Sequence, residues 1–188
     1  MLKSALRKQA LNQRNALTED NLQTLNEMLL AQFKKLDLSD IKSLHIFLPI
    51  IHQKEPDTFL IIDWLQQQHP EIEIVVPKAD FKTTIMSHHS YIDKEDLLNN
   101  HYHIPEPQKA KPFTATPDMV IVPLLAFDIK GYRVGYGKGF YDRFLAACKP
   151  DVIKIGLSFF EAEKVDIPYN DTDIALDYCV TPERMYKF

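Results

Sequence analysis

The sequence predicts an α/β fold: a mostly parallel sheet covered by helices on both faces. Two observations carry that expectation. Short apolar runs of strand length alternate with longer runs of helical periodicity, the order that βαβ units require. The strand-length runs are themselves apolar, as strands buried on both faces tend to be. A length of 188 residues suits one domain with a sizeable core, so residues 1–188 are expected to fold as a single unit.

Taken in order, residues 2–16 are rich in helix formers and predict a first helix. A second begins near Thr18, a natural N-cap, after which Leu22, Leu25, Leu29, Phe33 and Leu36 recur at helical spacing. Ser43 to Pro49 (SLHIFLP) is a short apolar run ended by proline and reads as a buried strand. Asp57 to Gln68 follows as a helix that His69-Pro70 stops. Glu73 to Pro77 is the next strand, Thr83 to Ser87 a candidate third, and Met119 to Pro123 (MVIVP) a buried one. Gly131 to Gly139 is a glycine-bearing loop opening into a helix at Phe140 to Ala147; Val152 to Ser158 and Tyr178 to Thr181 are late strands. The prolines at 105, 107, 112 and 117 mark an extended surface connection.

Composition narrows the classes of function. Hydrophobic residues at 45% beside 26% charged are ordinary for a globular chain. A formal net charge of −4 argues against broad nucleic-acid binding. No apolar run approaches the ~18 residues of a membrane span, and MLKSALRKQAL lacks the apolar core of a secretory signal, so a cytoplasmic protein is expected. Cys148 and Cys179 fit no CxxC pattern and are expected to be reduced thiols. The histidines, including His88-His89 and His101-x-His103, form no HExxH and do not predict a metal site.

Four of the five glycines fall within nine residues, at 131, 135, 137 and 139. Such spacing lets a backbone turn sharply and bring its N–H groups close to an oxyanion. The helix that follows adds unpaired donors and a partial positive charge. Arg133 and Lys138 supply cationic side chains beside that cradle, and Asp142 in the helix's first turn is placed to hold Mg²⁺ against bound phosphates. The alternative is a tight turn whose glycines only relieve steric strain. Lysine at 138 is followed by Gly139, so the segment is no Walker A loop, nor does it fit GxGxxG.

On the first helix Lys3, Arg7 and Arg14 fall within about 40° of one another, bordering the flank of Leu2 and Leu6. A polyphosphate would relieve that crowding of like charge; the alternative is a solvated basic face. Glu55 lies between a strand and a helix, where α/β folds present ligand contacts, and is placed to accept hydrogen bonds from a polar ring edge. Asp57 and Thr58 are expected to cap the helix that follows. Asp171, Asp173 and Asp177 form an acidic cluster open to a divalent cation or to solvent. Tyr132, Tyr136, Phe140 and Tyr141 are expected to divide between stacking on a flat ring and packing the core.

Together these residues resemble the 5-formyltetrahydrofolate cyclo-ligase family, also called 5,10-methenyltetrahydrofolate synthetases. The resemblance runs from Lys3-x-x-x-Arg7 through FLPI and Glu55-Pro-Asp-Thr to Ile104-Pro105-Glu106-Pro107. It continues through PDMVIVPLLAFDIKGYRVGYGKGFYDRFL and closes with IPYNDTDIALDYCVTPE. It implies a three-layer α/β/α fold related to the phosphosugar-isomerase and coenzyme A-transferase group. The implied reaction is the ATP- and Mg²⁺-dependent closure of 5-formyltetrahydrofolate to 5,10-methenyltetrahydrofolate, with release of ADP and phosphate. The family pattern makes Lys3 and Arg7 contacts to ATP. It makes Arg133, Val134, Gly135, Tyr136 and Gly137 the first half of a nucleotide loop that continues through Lys138, Gly139, Phe140 and Tyr141. Lys138 lies nearest the transferred phosphate, with Arg133 beside it in charge stabilisation.

For the folate, the pattern points to Glu55, to Ile50 or Ile51 lining the ring pocket, and to Tyr136 and Phe140 touching both ligands. Asp142 and Asp173 match its Mg²⁺ positions. Thr172 departs from it, standing where many relatives carry histidine. The implied partners are small molecules, with no nucleic acid or membrane, and a monomer is expected. Two other readings stay open: a phosphosugar isomerase or transferase that needs no ATP, and a nucleotide-binding module without turnover.

Overall fold

The computed structural model describes residues 2–188. Helix α1 (Lys3–Asn15) buries Leu6, Ala10 and Arg14, spaced four apart on one face. Helix α2 (Glu19–Phe33) starts at a capping box: the Thr18 hydroxyl accepts the Asn21 N–H, and the Asn21 side chain accepts the Thr18 N–H. Then follow β1 (Ser43–Ile46), α3 (Thr58–Gln68), β2 (Glu73–Asp80), β3 (Ile85–Ser90), β4 (Leu97–Asn99) and β5 (Pro105–Pro107). The second half adds β6 (Met119–Pro123), β7 (Ala126–Phe127), β8 (Arg133–Val134), α4 (Phe140–Ala147), β9 (Ile153–Leu157), β10 (Tyr178–Val180) and β11 (Met185–Lys187).

Seven strands form one sheet in the order β11-β10-β9-β6-β1-β2-β3. The inner five run parallel, and the two edges, β3 and β11, are antiparallel. Both faces are covered, and β6 shows how. Met119 and Ile121 enter the larger core with Phe33, Ile46 and Leu65, while Val120 and Val122 enter a second core with Phe127 and Leu145. Alternate residues of one strand thus feed opposite layers.

Departures from the expected elements have local causes. The run Ser43–Pro49 leaves the sheet after Ile46, and the Phe47 carbonyl is taken by the Thr58 hydroxyl at 2.7 Å rather than by a strand. Thr58 therefore does not cap α3; Asp57 does, accepting the Phe59 N–H. Strand β2 continues past Pro77 to Asp80 because Val75 to Asp80 pair with β3, while only its first three residues pair with β1. Beyond them Pro77 faces β3 alone, where a missing donor is tolerated. Strand β3 starts two residues later than expected, after a turn in which Thr84 adopts φ 58°. The proline-rich connection contains β5, paired antiparallel with β4. Strand β8 inside the glycine region, paired with β7 just before it, and the edge strand β11 are too short to carry a pattern that would announce them.

Strand numbering runs outward from the β1/β6 junction in both directions. That junction is the switch point at which open α/β sheets bind ligands, beyond the strands' carboxyl ends.

Candidate active site

A cavity of about 1080 Å³ opens at that junction. Its wall begins where the inner strands end: Phe47 and Leu48 after β1, Ala79 on β2, Pro123 on β6. The volume slightly exceeds the ~300–1,000 Å³ usual for one small ligand and gives room for two. Segments remote in sequence supply Phe81 and Tyr102 from turns and Met86 from β3, with Phe81 packed on Tyr102 (ring centroids 4.2 Å) and on Phe140 (5.3 Å). No local pattern in the sequence reveals these three.

One end is organised around Glu55. Its Oε2 accepts the Ile50 N–H at 2.7 Å, and its Oε1 accepts the Tyr136 hydroxyl at 2.7 Å. Arg14 supports this pair from behind, donating to the Tyr136 oxygen at 3.1 Å and to the Leu124 carbonyl at 2.7 Å. Burial raises the Glu55 pKa, while the two hydrogen bonds and the Arg14 charge pull it back. Burial also pushes the Tyr136 hydroxyl well up, so it stays a donor. Ile50, His52 and Gln53 line this end; Ile51 points to solvent. Arg14 is thus a buried brace, apart from any anionic ligand, which corrects its grouping with Lys3 and Arg7.

The other end is the glycine loop. Gly137 (φ 87°) and Gly139 (φ 67°) hold left-handed conformations that favour glycine. Gly139 is also the N-cap of α4 and offers no side chain to its first N–H groups. Arg7 reaches across from α1, its Nε donating to the Gly135 carbonyl at 2.8 Å, and Lys138 and Arg143 stand on the same wall. Arg133, largely buried, pairs with Asp142 at 2.7 Å and donates to the Ile174 carbonyl. Burial lowers the Arg133 pKa and Asp142 counters it. Lys3 holds both oxygens of Asp173 at 2.7 Å, which lowers that carboxylate's pKa against the effect of burial.

Most residues singled out in the sequence meet in this cavity: Lys3, Arg7, Arg133, Gly135 to Asp142, Ile50, Glu55 and Asp173. Val134 does not, since its side chain packs with Leu6 and Ile167. Tyr132 stacks on Tyr169 outside it at 3.7 Å, and Asp177 pairs with Lys154. Asp171 also faces the cavity. Arg143, directly after Asp142, lines the cavity as well, although no sequence motif gives it a role.

Among the described residues no three His, Cys, Asp or Glu side chains gather as a self-sufficient metal cage. Two carboxylates completed by phosphate oxygens are nevertheless a usual donor set for Mg²⁺. Asp142 and Asp173 both line the cavity; no hydrogen bond among the described residues reaches Oδ2 of Asp142, whereas both oxygens of Asp173 are held by Lys3.

Fold and site together define an α/β enzyme with one large cavity, one end built around a buried carboxylate and the other around a cationic glycine loop. A family model described as the 5-formyltetrahydrofolate cyclo-ligase family matches residues 1–182, and the chain belongs to that family. It is 31% identical over 187 residues to a 5-formyltetrahydrofolate cyclo-ligase of Mycoplasma pneumoniae, covering 97% of this chain and all of that one. Its fold matches the solved 5,10-methenyltetrahydrofolate synthetase of Aquifex aeolicus with TM-score 0.81 at 30% identity, over 100% of this chain and 93% of the other. The solved Mycoplasma pneumoniae synthetase matches with TM-score 0.75 at 26% identity, over 96% and 98% of the two chains.

Proposed function

We propose that the enzyme uses ATP and Mg²⁺ to close 5-formyltetrahydrofolate to 5,10-methenyltetrahydrofolate, releasing ADP and phosphate. The observation that carries the nucleotide half of this reading is Gly135. Its φ is not positive, and a Cβ built on it would meet nothing within 4 Å. Neither backbone conformation nor internal packing asks for glycine there, yet the residue lines the cavity. Close approach of a ligand to the backbone is the reason that remains; Arg7 on the Gly135 carbonyl, with Lys138 and Arg143 on the same cavity wall, suits a polyphosphate.

A formamide oxygen leaves poorly, and phosphorylation makes it leave as phosphate. The N5-formyl oxygen attacks the γ-phosphorus and ADP departs. The N10 amine then attacks the formyl carbon, loses its proton, and phosphate leaves with the former formyl oxygen. Such a sequence needs alignment and charge stabilisation more than a protein nucleophile. In this reading Lys138 and Arg7 hold the transferred and bridging oxygens, with Lys3 and Arg133 behind them. The loop N–H groups and the open start of α4 add donors. Glu55, held by Ile50 and Tyr136, accepts from the N–H edge of the folate ring, and Ile50 and Phe140 line its faces. Asp142 and Asp173 would hold Mg²⁺, which supplies Lewis-acid polarisation of the phosphoryl group.

We also infer one domain acting as a monomer, because one chain supplies the cavity wall from Lys3 to Ile174. No helix among the described residues is long and apolar enough to cross a membrane. A cytoplasmic site of action accords with free thiols at Cys148 and Cys179. The test is an absorbance assay for the methenyl product with 5-formyltetrahydrofolate, ATP and Mg²⁺, omitting each in turn. Product formed without ATP, or none with all three present, rejects the proposal.

A further inference from the structure

The five cations on the cavity wall differ in what neutralises them. Lys3 and Arg133 have carboxylate partners; Arg7, Lys138 and Arg143 make no ion pair among the described residues. These three surround the same few backbone atoms. A Cβ on Gly137 would lie 3.0 Å from Arg7 Nη2, and one on Gly139 would lie 2.9 Å from Arg143 Nη1. Two guanidiniums, one from α1 and one from α4, therefore bracket the left-handed glycines with Lys138 between them. Like charges gathered without a counter-ion repel, and an anion among them removes the repulsion.

Arg143 is positioned for that anion. Its Nε and Nη2 donate to the Thr84 carbonyl at 3.2 and 2.8 Å, and Nη2 also donates to the Lys138 carbonyl at 2.9 Å. Among the described residues Nη1 makes no hydrogen bond. Thr84 sits at φ 58°, a region that strains a β-branched residue. Its carbonyl receives two of the three Arg143 bonds and the Lys138 carbonyl the third, so the strained turn and the glycine loop are joined through one guanidinium. That linkage uses Nε and Nη2 and leaves the N–H groups of Nη1 for a ligand.

We infer that Arg143 contacts the nucleotide's phosphates, as the counterpart of Arg7 on the far side of the glycine loop. The inference rests on the nucleotide reading above and adds a residue to it. A merely structural clasp between Thr84 and Lys138 would instead affect stability and both substrates alike.

Calorimetric titration of ATP and of inorganic tripolyphosphate, with steady-state kinetics, separates these cases. Arg143→Ala should weaken both ligands about tenfold to a hundredfold, the effect of one charge-assisted hydrogen bond. The KM for 5-formyltetrahydrofolate should stay within about twofold and Tm within about 2 °C. Arg143→Lys, which restores charge without the fork, should recover part of the affinity. Unchanged tripolyphosphate affinity in Arg143→Ala, or KM values that rise together for both substrates, overturns the assignment. If that variant does not fold, Arg143→Gln, which keeps a donor for Thr84, is held to the same criteria. Wild-type protein that binds neither ATP nor tripolyphosphate overturns the nucleotide reading itself; wild-type binding that survives loss of Arg143 overturns only this residue's role.

Discussion

The two ends of the cavity are built on opposite principles. Around Glu55 the polar groups already satisfy one another: both carboxylate oxygens are hydrogen-bonded, and Tyr136 both donates to Glu55 and accepts from Arg14. Around Gly135 to Gly139 the charges have no counter-ion, and one glycine faces open space. The first end is a rigid acceptor whose geometry is fixed before a ligand arrives. The second is a group of cations that no carboxylate among the described residues pairs. The difference suggests that recognition of shape and donation pattern belongs to the Glu55 end, and charge stabilisation to the loop.

The strongest way to break this division is Lys138→Ala. Removing one preorganised cation should depress kcat by about a hundredfold or more in the methenyl assay, and turnover equal to wild type would remove Lys138 from the chemistry. Glu55→Gln comes next. Loss of a charged acceptor should raise the KM for the formylfolate about tenfold while the KM for ATP moves far less. Equal rises would deny the two ends separate duties.

Two glycines sharpen the contrast further. Gly135→Ala should keep stability within about 0.5 kcal/mol, because its Cβ enters empty space, yet weaken ATP binding in a titration. Gly156→Ala should do the reverse. Its Cβ would come within 2.6 Å of Leu124 and 2.7 Å of Leu176, an overpacking that costs about 1–3 kcal/mol in urea unfolding while the surviving fold binds ATP normally.

The smallest effect concerns the sheet behind the site. His45 has both ring nitrogens unpartnered and His88 has one, with the His88 ring stacked on Phe144 of α4 at 4.0 Å. Burial, with a lesser push from His89, holds the His88 pKa down to about 4, and burial lowers His45 as well. These folded values lie below the ~6.5 of an unfolded histidine, so the unfolded chain takes up protons first as pH falls. Their contribution to stability is complete above about pH 6.5 and is lost on the way to pH 4. His88→Phe should flatten that loss, read as urea midpoints against pH; an unaltered slope would show that His88 is not held neutral.

Much of this was legible in the sequence, for reasons that particular residues make plain. MVIVP read as a strand buried on both faces, and the crowding of glycines before Phe140 marked a loop that lines the cavity. Glu55 was legible from its place after a strand. Arg14 shows where local reading stops. Its helical angle puts it with Leu6 and Ala10 on the buried face, but its partner is Tyr136, 122 positions away. Phe81 and Tyr102 reach the cavity through turns whose packing is set by one another, and no periodicity within either segment reports that.

The ion pair between Lys3 and Asp173 spans 170 positions of chain. With the Arg7–Gly135 and Arg14–Tyr136 contacts, it fastens α1 to segments translated long afterwards. These polar contacts add to the burial of Leu6 and Ala10, the apolar residues by which α1 packs on the body. Any molecule that engages Lys3 and Arg7 also tightens that helix against the body, so occupancy of the cavity and docking of the first fifteen residues are linked by a single equilibrium.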